Sequence, residues 1–392
     1  MIILTFLISI FCLLAGCSVS RNDDFINRSF EVARQQSLLM AEYLDQNPEW
    51  LPRTYDLARD SIISTNSRNW VSGFFPGLLW YLYENFNCEE IEKLAVNFLS
   101  RIEEEKYNTY DHDIGFQINC SFGNAYRLTG TESFKDVLLT AAHSATKRYN
   151  DNIGLIRSWD FGREKWQYPV IIDNMMNLEL LMKAFHLTGD SLYYRVATSH
   201  ADITMQNHFR ADYSSFHVVS YDTITGLPHI RMTHQGAFNE SHWARGQAWG
   251  LYGFTMMYRE TGNQKYLSQA VNIANFIINH PKMPADMIPY WDLRATDIPD
   301  TWRDASAAAI MASALIELSG YVDSKLKTDY LKVAGIQLRT LSTPEYLAEP
   351  GTNGFFILKR SVGNMPRGSE VDMPLTYADY YFIEALIRFN KL

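Results

Sequence analysis

"YRLTGTESFKDVLLTAA", residues 126–142, decides the fold. It reads as the end of one helix, a tight turn and the start of another. Gly130 after Thr129 is a helix stop, Phe134 is an aromatic anchor, and an Ala-containing amphipathic stretch follows. The layout returns in "FHLTGDSLYYRVATSHA" (185–201) and "YRETGNQKYLSQAVNIA" (258–274). Weaker copies stand at "YENFNCEEIEKLAVNFL" (83–99) and "LSGYVDSKLKTDYLKVAG" (318–335). Strict alternation of the kind strands show is scarce, so a recurring helix–turn–helix unit predicts a helical array. About six such pairs fit between residue 25 and the C-terminus. Their unequal lengths, with long loops after alternate helices, predict a ring closed on itself, an (α/α)6 barrel, with functional loops at one mouth. No Pro- or Ser-rich linker divides the chain, so residues 25–392 are expected to form one catalytic domain.

Composition narrows the partners. Hydrophobic residues make up 47% of the 392 and aromatic residues 14%, enough for a large core. With 35 basic against 44 acidic residues the formal charge is -9, and no run of Lys or Arg stands out. Nucleic acid and an anionic membrane surface are therefore poor bulk partners, although a single Arg can still meet a small anion.

The chain opens on "MIILTFLISIFCLLAGC" (1–17), an apolar run too short to span a bilayer and without a charged far flank. The "LLAGC" ending reads as a lipoprotein cleavage box, with Cys17 lipidated and the protein exported to the periplasm or anchored at the outer membrane. Cys12 leaves with the signal. Cys88 and Cys120 remain, too few for a disulfide framework, and their pairing is open from sequence.

Three segments break the helical pattern. "YDHDIGFQ" (110–117) gathers Asp111, His112 and Asp113 before a Gly. Its plain reading is a solvated turn capping the next helix; a metal site lacks a paired His motif to support it. In "YPVIIDNMMNLELLMKAF" (168–185), Asp173 stands between an apolar run and an apolar helix. It reads as an N-cap and equally as a shielded carboxyl, whose raised pKa suits a general acid. "RMTHQGAFNESHWARGQAWGLYG" (231–253) places Gln235, Trp243, Arg245 and Trp249 close together. Tryptophan faces stack on sugar rings and Arg holds carboxylates in bidentate fashion, so an anionic sugar is the ligand this stretch suggests over a plain core helix.

These blocks, with "NWVSGFFPGLLWYLYE" (69–84) and "SEVDMPLTYADYYFIEAL" (369–386), resemble in order the family 88 glycoside hydrolases, the unsaturated glucuronyl hydrolases. The resemblance implies an (α/α)6 barrel that needs no metal or other cofactor. It implies removal of a 4,5-unsaturated uronic acid from the non-reducing end of lyase-generated oligosaccharides, by hydration of a vinyl ether. Asp173 matches the general acid that then acts as base, and Asp113 the second essential carboxylate. His112, His217, Gln235 and Arg245 resemble the polar groups around the sugar, with Arg245 at its negative end. Trp70, Trp159, Trp243 and Trp249 resemble its aromatic walls. The basic, hydroxyl-bearing loop "LKRSVGNMPRGSE" (358–370) adds Arg360 and Ser361 as readers of a sulfate or other polar group on the second sugar.

Two other readings compete. One is a conventional inverting glycosidase acting on a saturated glycan through Asp113 and Asp173. The other is a non-catalytic glycan-binding lipoprotein using the same aromatics. Loss of the ultraviolet absorbance of an unsaturated uronate separates hydration from both.

Overall fold

The computed structural model describes residues 21–392; the export segment, with Cys12 and Cys17, lies outside the described residues. The Thr-Gly turns act as their sequence asks. Gly130, Gly189 and Gly262 take left-handed φ values of 66°, 72° and 65°, and each N–H closes its helix on the carbonyl of Tyr126, Phe185 or Tyr258. A side chain with a Cβ would be strained at each turn. The next helix starts two residues on, where the side chains of Asp190 and Asn263 cap the backbone N–H groups of Leu192 and Lys265.

Twelve α-helices result among the described residues. The inner set is α2 (Phe74–Phe86), α4 (Asn124–Thr129, entered through the π-helical stretch Gly115–Gly123), α6 (Asn174–Thr188), α8 (Ala244–Thr261), α10 (Ala305–Leu318) and α12 (Thr376–Asn390). Each packs on the next, and α12 packs back on α2, so the ring closes. The outer set is α1 (Arg21–Leu44), α3 (Glu89–Ser100), α5 (Glu132–Thr146), α7 (Ser191–Asn207), α9 (Gln264–Ile278) and α11 (Ser324–Leu341). This is an (α/α)6 barrel. Inner helices such as α10, "ASAAAIMASALIEL", are buried on nearly every side, whereas α9 buries one stripe (Tyr266, Ala270, Ile273, Ala274 and Ile277).

All the tight turns lie at one end, the base. The long connections that precede the inner helices gather at the other end and fold into small antiparallel sheets: β1 (Leu51–Asp56) with β2 (Ser61–Thr65), β3 (Tyr149–Asn150) with β4 (Leu155–Ile156), β5 (Pro169–Ile171) with β6 (Val218–Tyr221) and β7 (Pro228–Met232), and β8 (Ser361–Asn364) with β9 (Ser369–Met373). Sequence pattern missed β5 and β6 because they are buried on both faces and show no alternation. Cys88 and Cys120 are both free thiols. No helix among the described residues is long and apolar enough to cross a membrane.

Candidate active site

The N-terminal ends of the inner helices converge on the mouth, and the unusual side chains sit there. Trp70 precedes α2, Asp113 precedes the π-helical stretch, Asp173 heads α6, Trp243 and Arg245 open α8, Asp304 caps α10, and Tyr377 lies in the first turn of α12. Sheet register sets the central pair. Ile171 of β5 pairs with Val218 of β6, and the Ile172 N–H donates to the His217 carbonyl at 3.1 Å. Asp173 and His217 are thereby brought side by side across adjacent strands, with His217 Nε2 3.8 Å from Asp173 Oδ2.

Asp173 occupies the cap position of α6, yet its side chain makes no cap hydrogen bond. Its Oδ2 is buried without a hydrogen-bond partner. Burial pushes its pKa up to about 7, against the opposing pull of the Arg245 charge, of its own backbone N–H and of the Trp249 indole. Asp173 is therefore a carboxyl that holds its proton near neutrality. The two ring nitrogens of His217 have separate duties. Its Nδ1 accepts from the backbone N–H groups of His234 and Gln235, each at 3.1 Å, which leaves the proton on Nε2. Burial and neighbouring cationic groups hold the His217 pKa well below its usual value. The ring is neutral, and its unpartnered Nε2–H is a donor facing the Asp173 side.

The "DHDIG" turn splits into two roles. Asp111 shapes the turn, accepting from the Asp113 N–H at 2.9 Å and from Asn108 Nδ2 at 3.0 Å. Asp113 is the carboxyl turned to the mouth, 3.4 Å from His112 Nε2. Burial raises its pKa well above the carboxylate range, and the charges of Asp111 and Asp173 push the same way. His112, also buried, has its pKa lowered to about 3 and is neutral. Gly115 lets this segment lie flat on α6: a Cβ there would sit 2.6 Å from the Asn177 Cα. Asn177 Oδ1 accepts from the Phe116 N–H at 2.8 Å, fixing the turn beside Asp173. Among the described residues no group of three or more His, Cys, Asp or Glu is arranged to hold a metal.

Aromatic rings connect around the mouth. Trp159 stacks on Phe161 at 4.8 Å and touches His234, and His217 lies 4.5 Å from the Trp243 ring. Trp70 packs on Tyr377 at 4.9 Å and on Phe116 at 5.5 Å. Trp249 differs from the wall expected of it. It lies one turn deeper in α8, is fully buried, and packs on Phe116 and Tyr381 as floor beneath the acid.

Arg245 also departs from expectation. Its guanidinium is 1% exposed, donates to the carbonyls of Val362 and Gly363, and pairs with Asp304 Oδ2 at 3.3 Å. It lies between the rings of Trp243 and Tyr377, 4.6 and 5.3 Å from their centres. A group so engaged anchors β8, and its charge lowers the pKa of Asp173. Gln235 joins the same anchor, its Nε2 donating to the Gly363 carbonyl at 3.0 Å. The next-door pair diverges as well. Arg360 is exposed at a left-handed φ of 60°, whereas Ser361 is fully buried with its hydroxyl unpartnered. Asp304 and Tyr377, which sequence reading passed over, complete the arrangement. A cap signal, Asp before "ASAAA", marks the first; nothing local marks its tie to Arg245.

A ring of unpaired buried polar atoms, including Asp173 Oδ2, His217 Nε2, Trp159 Nε1, Asn364 Oδ1 and Tyr377 OH, is what a site for a hydroxyl-rich ligand presents. Residues 43–387 match the profile of Glycosyl Hydrolase Family 88. The chain belongs to this family. Its relatives agree over most of their length. An unsaturated glucuronyl hydrolase of Formosa agariphila is 46% identical over 342 residues, covering 87% of this chain and 85% of that protein. An unsaturated chondroitin disaccharide hydrolase of Streptococcus pneumoniae is 33% identical over 368 residues, 92% of this chain and 90% of that protein. A solved structure of an unsaturated glucuronyl hydrolase specific for heparin superposes with a TM-score of 0.91 at 47% identity, covering 94% of this chain and 98% of that one.

Proposed function

We propose that this chain is an unsaturated glucuronyl hydrolase that removes a 4,5-unsaturated uronic acid from the non-reducing end of glycosaminoglycan-type fragments left by lyases. The observation that carries it is Asp173: a buried, unpaired carboxyl with a pKa of about 7, beside a neutral donor, His217. A vinyl ether is activated by protonation at carbon, a step slow in water, to which a positioned acid contributes roughly 10²- to 10⁴-fold. Asp173 gives its proton to C4. The resulting positive charge, shared by C5 and the ring oxygen, faces the carboxylate Asp173 has just become. Water adds at C5 and returns a proton to Asp173, and the hemiketal rearranges, expelling the second sugar. Asp113, with its raised proton affinity, serves ring hydroxyls as a hydrogen-bonding partner and supports Asp173.

Trp70, Trp159 and Trp243 supply faces for the sugar, with His112 and His217 as polar neighbours. Arg245 and Gln235 hold the Val362–Gly363 edge from which Asn364 and Ser361 reach the site. Relatives named for chondroitin and heparin substrates support glycosaminoglycan fragments as the class. Kinetics on sulfated and unsulfated unsaturated disaccharides, followed by loss of the double-bond absorbance, test the reading. Release of a sugar with the absorbance intact would instead favour an ordinary glycosidase, and binding without turnover a lectin-like protein. The proposal extends to export: the "LLAGC" box supports a lipoprotein lipidated at Cys17 and held at the periplasmic face or outer membrane. Cys17→Ser should move the protein from the membrane to the soluble fraction; unchanged partitioning would count against the anchor.

A further inference from the structure

At the mouth end of the barrel, the β1–β2 hairpin meets the end of α1 and the turn at residues 351–355 around a cavity of about 520 Å³. Three aromatic side chains line it, Tyr43, Tyr55 and Phe355, together with Asp60 and Ser61. No Lys or Arg does. Its backbone is unusual. Asn353, Gly354 and Phe355 are three consecutive left-handed residues, at φ 58°, 58° and 66°, and Asp60 opposite them is left-handed at 49°. An aromatic residue in that region is strained, and such strain persists only where the surroundings over-determine it.

Gln36 provides that restraint. Fully buried on α1, it donates through Nε2 to the carbonyls of Thr352 and Phe356 at 2.9 and 2.8 Å, and accepts from the Gly351 N–H at 2.8 Å. Gly354 lies directly against the Tyr55 ring, where a Cβ would come within 2.4 Å. Tyr55 in turn donates its hydroxyl to Asp60 Oδ1. The concavity is thus built and held before any ligand arrives, which lowers the ordering cost of binding.

Flat aromatic faces beside a hydroxyl and a carboxylate acceptor suit a sugar ring, whose C–H face packs on the rings while its hydroxyls donate to oxygen. The sign of the charge selects which sugar. Asp60, with no lining cation to balance it, opposes a sulfate or uronate and accepts from neutral hydroxyls. We propose that this cavity is a second, non-catalytic saccharide site that takes a neutral pyranose, such as an unsulfated N-acetylhexosamine. Its lining shares no residue with the catalytic pair or the tryptophan walls, and its existence does not rest on the catalytic reading.

The test titrates the mature chain with a neutral hexamer of N-acetylglucosamine, which has no uronate for the mouth, by calorimetry and by NMR. Weak saturable binding is expected, undisturbed by an unsaturated disaccharide bound at the mouth of an Asp173→Asn background. Tyr55→Ala and Asp60→Gly should each weaken it about tenfold or more. Glycine tolerates the left-handed backbone at position 60, so Asp60→Gly decides the matter if Tyr55→Ala melts early. Turnover of unsaturated disaccharide should stay at wild-type rates in both variants. Absence of hexamer binding, or binding equally strong in both variants, overturns the proposal while leaving the catalytic assignment untouched.

Discussion

The two ends of the barrel bury charge by opposite rules. At the base, Arg259 reaches Glu179, Glu260 and Glu317, and Arg388 reaches Glu317 and Glu384. Glu384 accepts in addition from Tyr81, Tyr252 and Ser313. Cations near helix C-termini also complement the helix dipole. At the mouth, Asp173 and His217 present unpartnered atoms to each other at 3.8 Å. Helix α6 shows the contrast within one element. Burial raises the pKa of both its Glu179 and the Asp173 that heads it. At Glu179 the charges of Arg259, Lys183 and Arg388 outweigh burial and lower the pKa, whereas at Asp173 burial prevails and the pKa reaches about 7. Matched burial makes a strut; unmatched burial makes an acid.

The largest expected effect comes from removing the unmatched group. Asp173→Asn should lower kcat by about 10³-fold or more while preserving the fold, since the lost carboxyl caps nothing. Its effect on stability should also depend on pH. A folded pKa of about 7 lies above the unfolded value of about 3.9, so wild-type stability falls as pH rises between them. At pH 8 the Asn variant should therefore melt higher than wild type. A lower melt at pH 8, or near-wild-type turnover, would break the contrast.

Breaking a strut should do the reverse. Arg259→Leu takes a partner from three carboxylates, of which Glu317 keeps Arg388 and Glu260 keeps His186, and should reduce the unfolding free energy by about 3 kcal/mol in urea titrations. The kcat of the folded fraction should hold. Loss of kcat with unchanged stability would mean that the base is not merely structural.

Arg245 stands between the two kinds, and two replacements separate its parts. Arg245→Met removes both the field and the anchor on Val362 and Gly363, so KM should rise and the alkaline limb of the pH–rate profile should move to higher pH. Arg245→Lys keeps the charge without the fork; KM should rise while the limb stays in place. An unmoved limb in Arg245→Met would show that its field does not reach the acid.

The smallest effect concerns the second sugar. Arg360→Ala with Ser361→Ala should lower kcat/KM on sulfated disaccharides about tenfold, roughly 1.4 kcal/mol, with little change on unsulfated ones. Equal losses on both would reduce the pair to a share in shaping β8.

The same contrast explains what was legible in the sequence. Thr-Gly turns and the stretches after them are local, so the helix pairs of the barrel could be read directly. Asp173 and Asp113 carried local signals, an apolar flank and an acidic turn before Gly115. Partner choice is not local. Asp173 looks like a cap and caps nothing, while Asp304 looks like a cap, is one, and also pairs with Arg245 from the head of another helix. Arg245 in an apolar segment signalled a needed partner, and the β8 edge and Asp304 both supply one from within the protein. Whether Trp249 lines a wall or a floor depends on one turn of helical depth, which spacing alone does not fix.

Isotope labelling tests the central claim that Asp173 protonates carbon. Turnover in D₂O should place deuterium at C4 of the released uronate and abolish the double-bond absorbance in step with product. Asp173→Asn should show neither on the same timescale. A released sugar that keeps its double bond, with no deuterium at C4, would contradict the account.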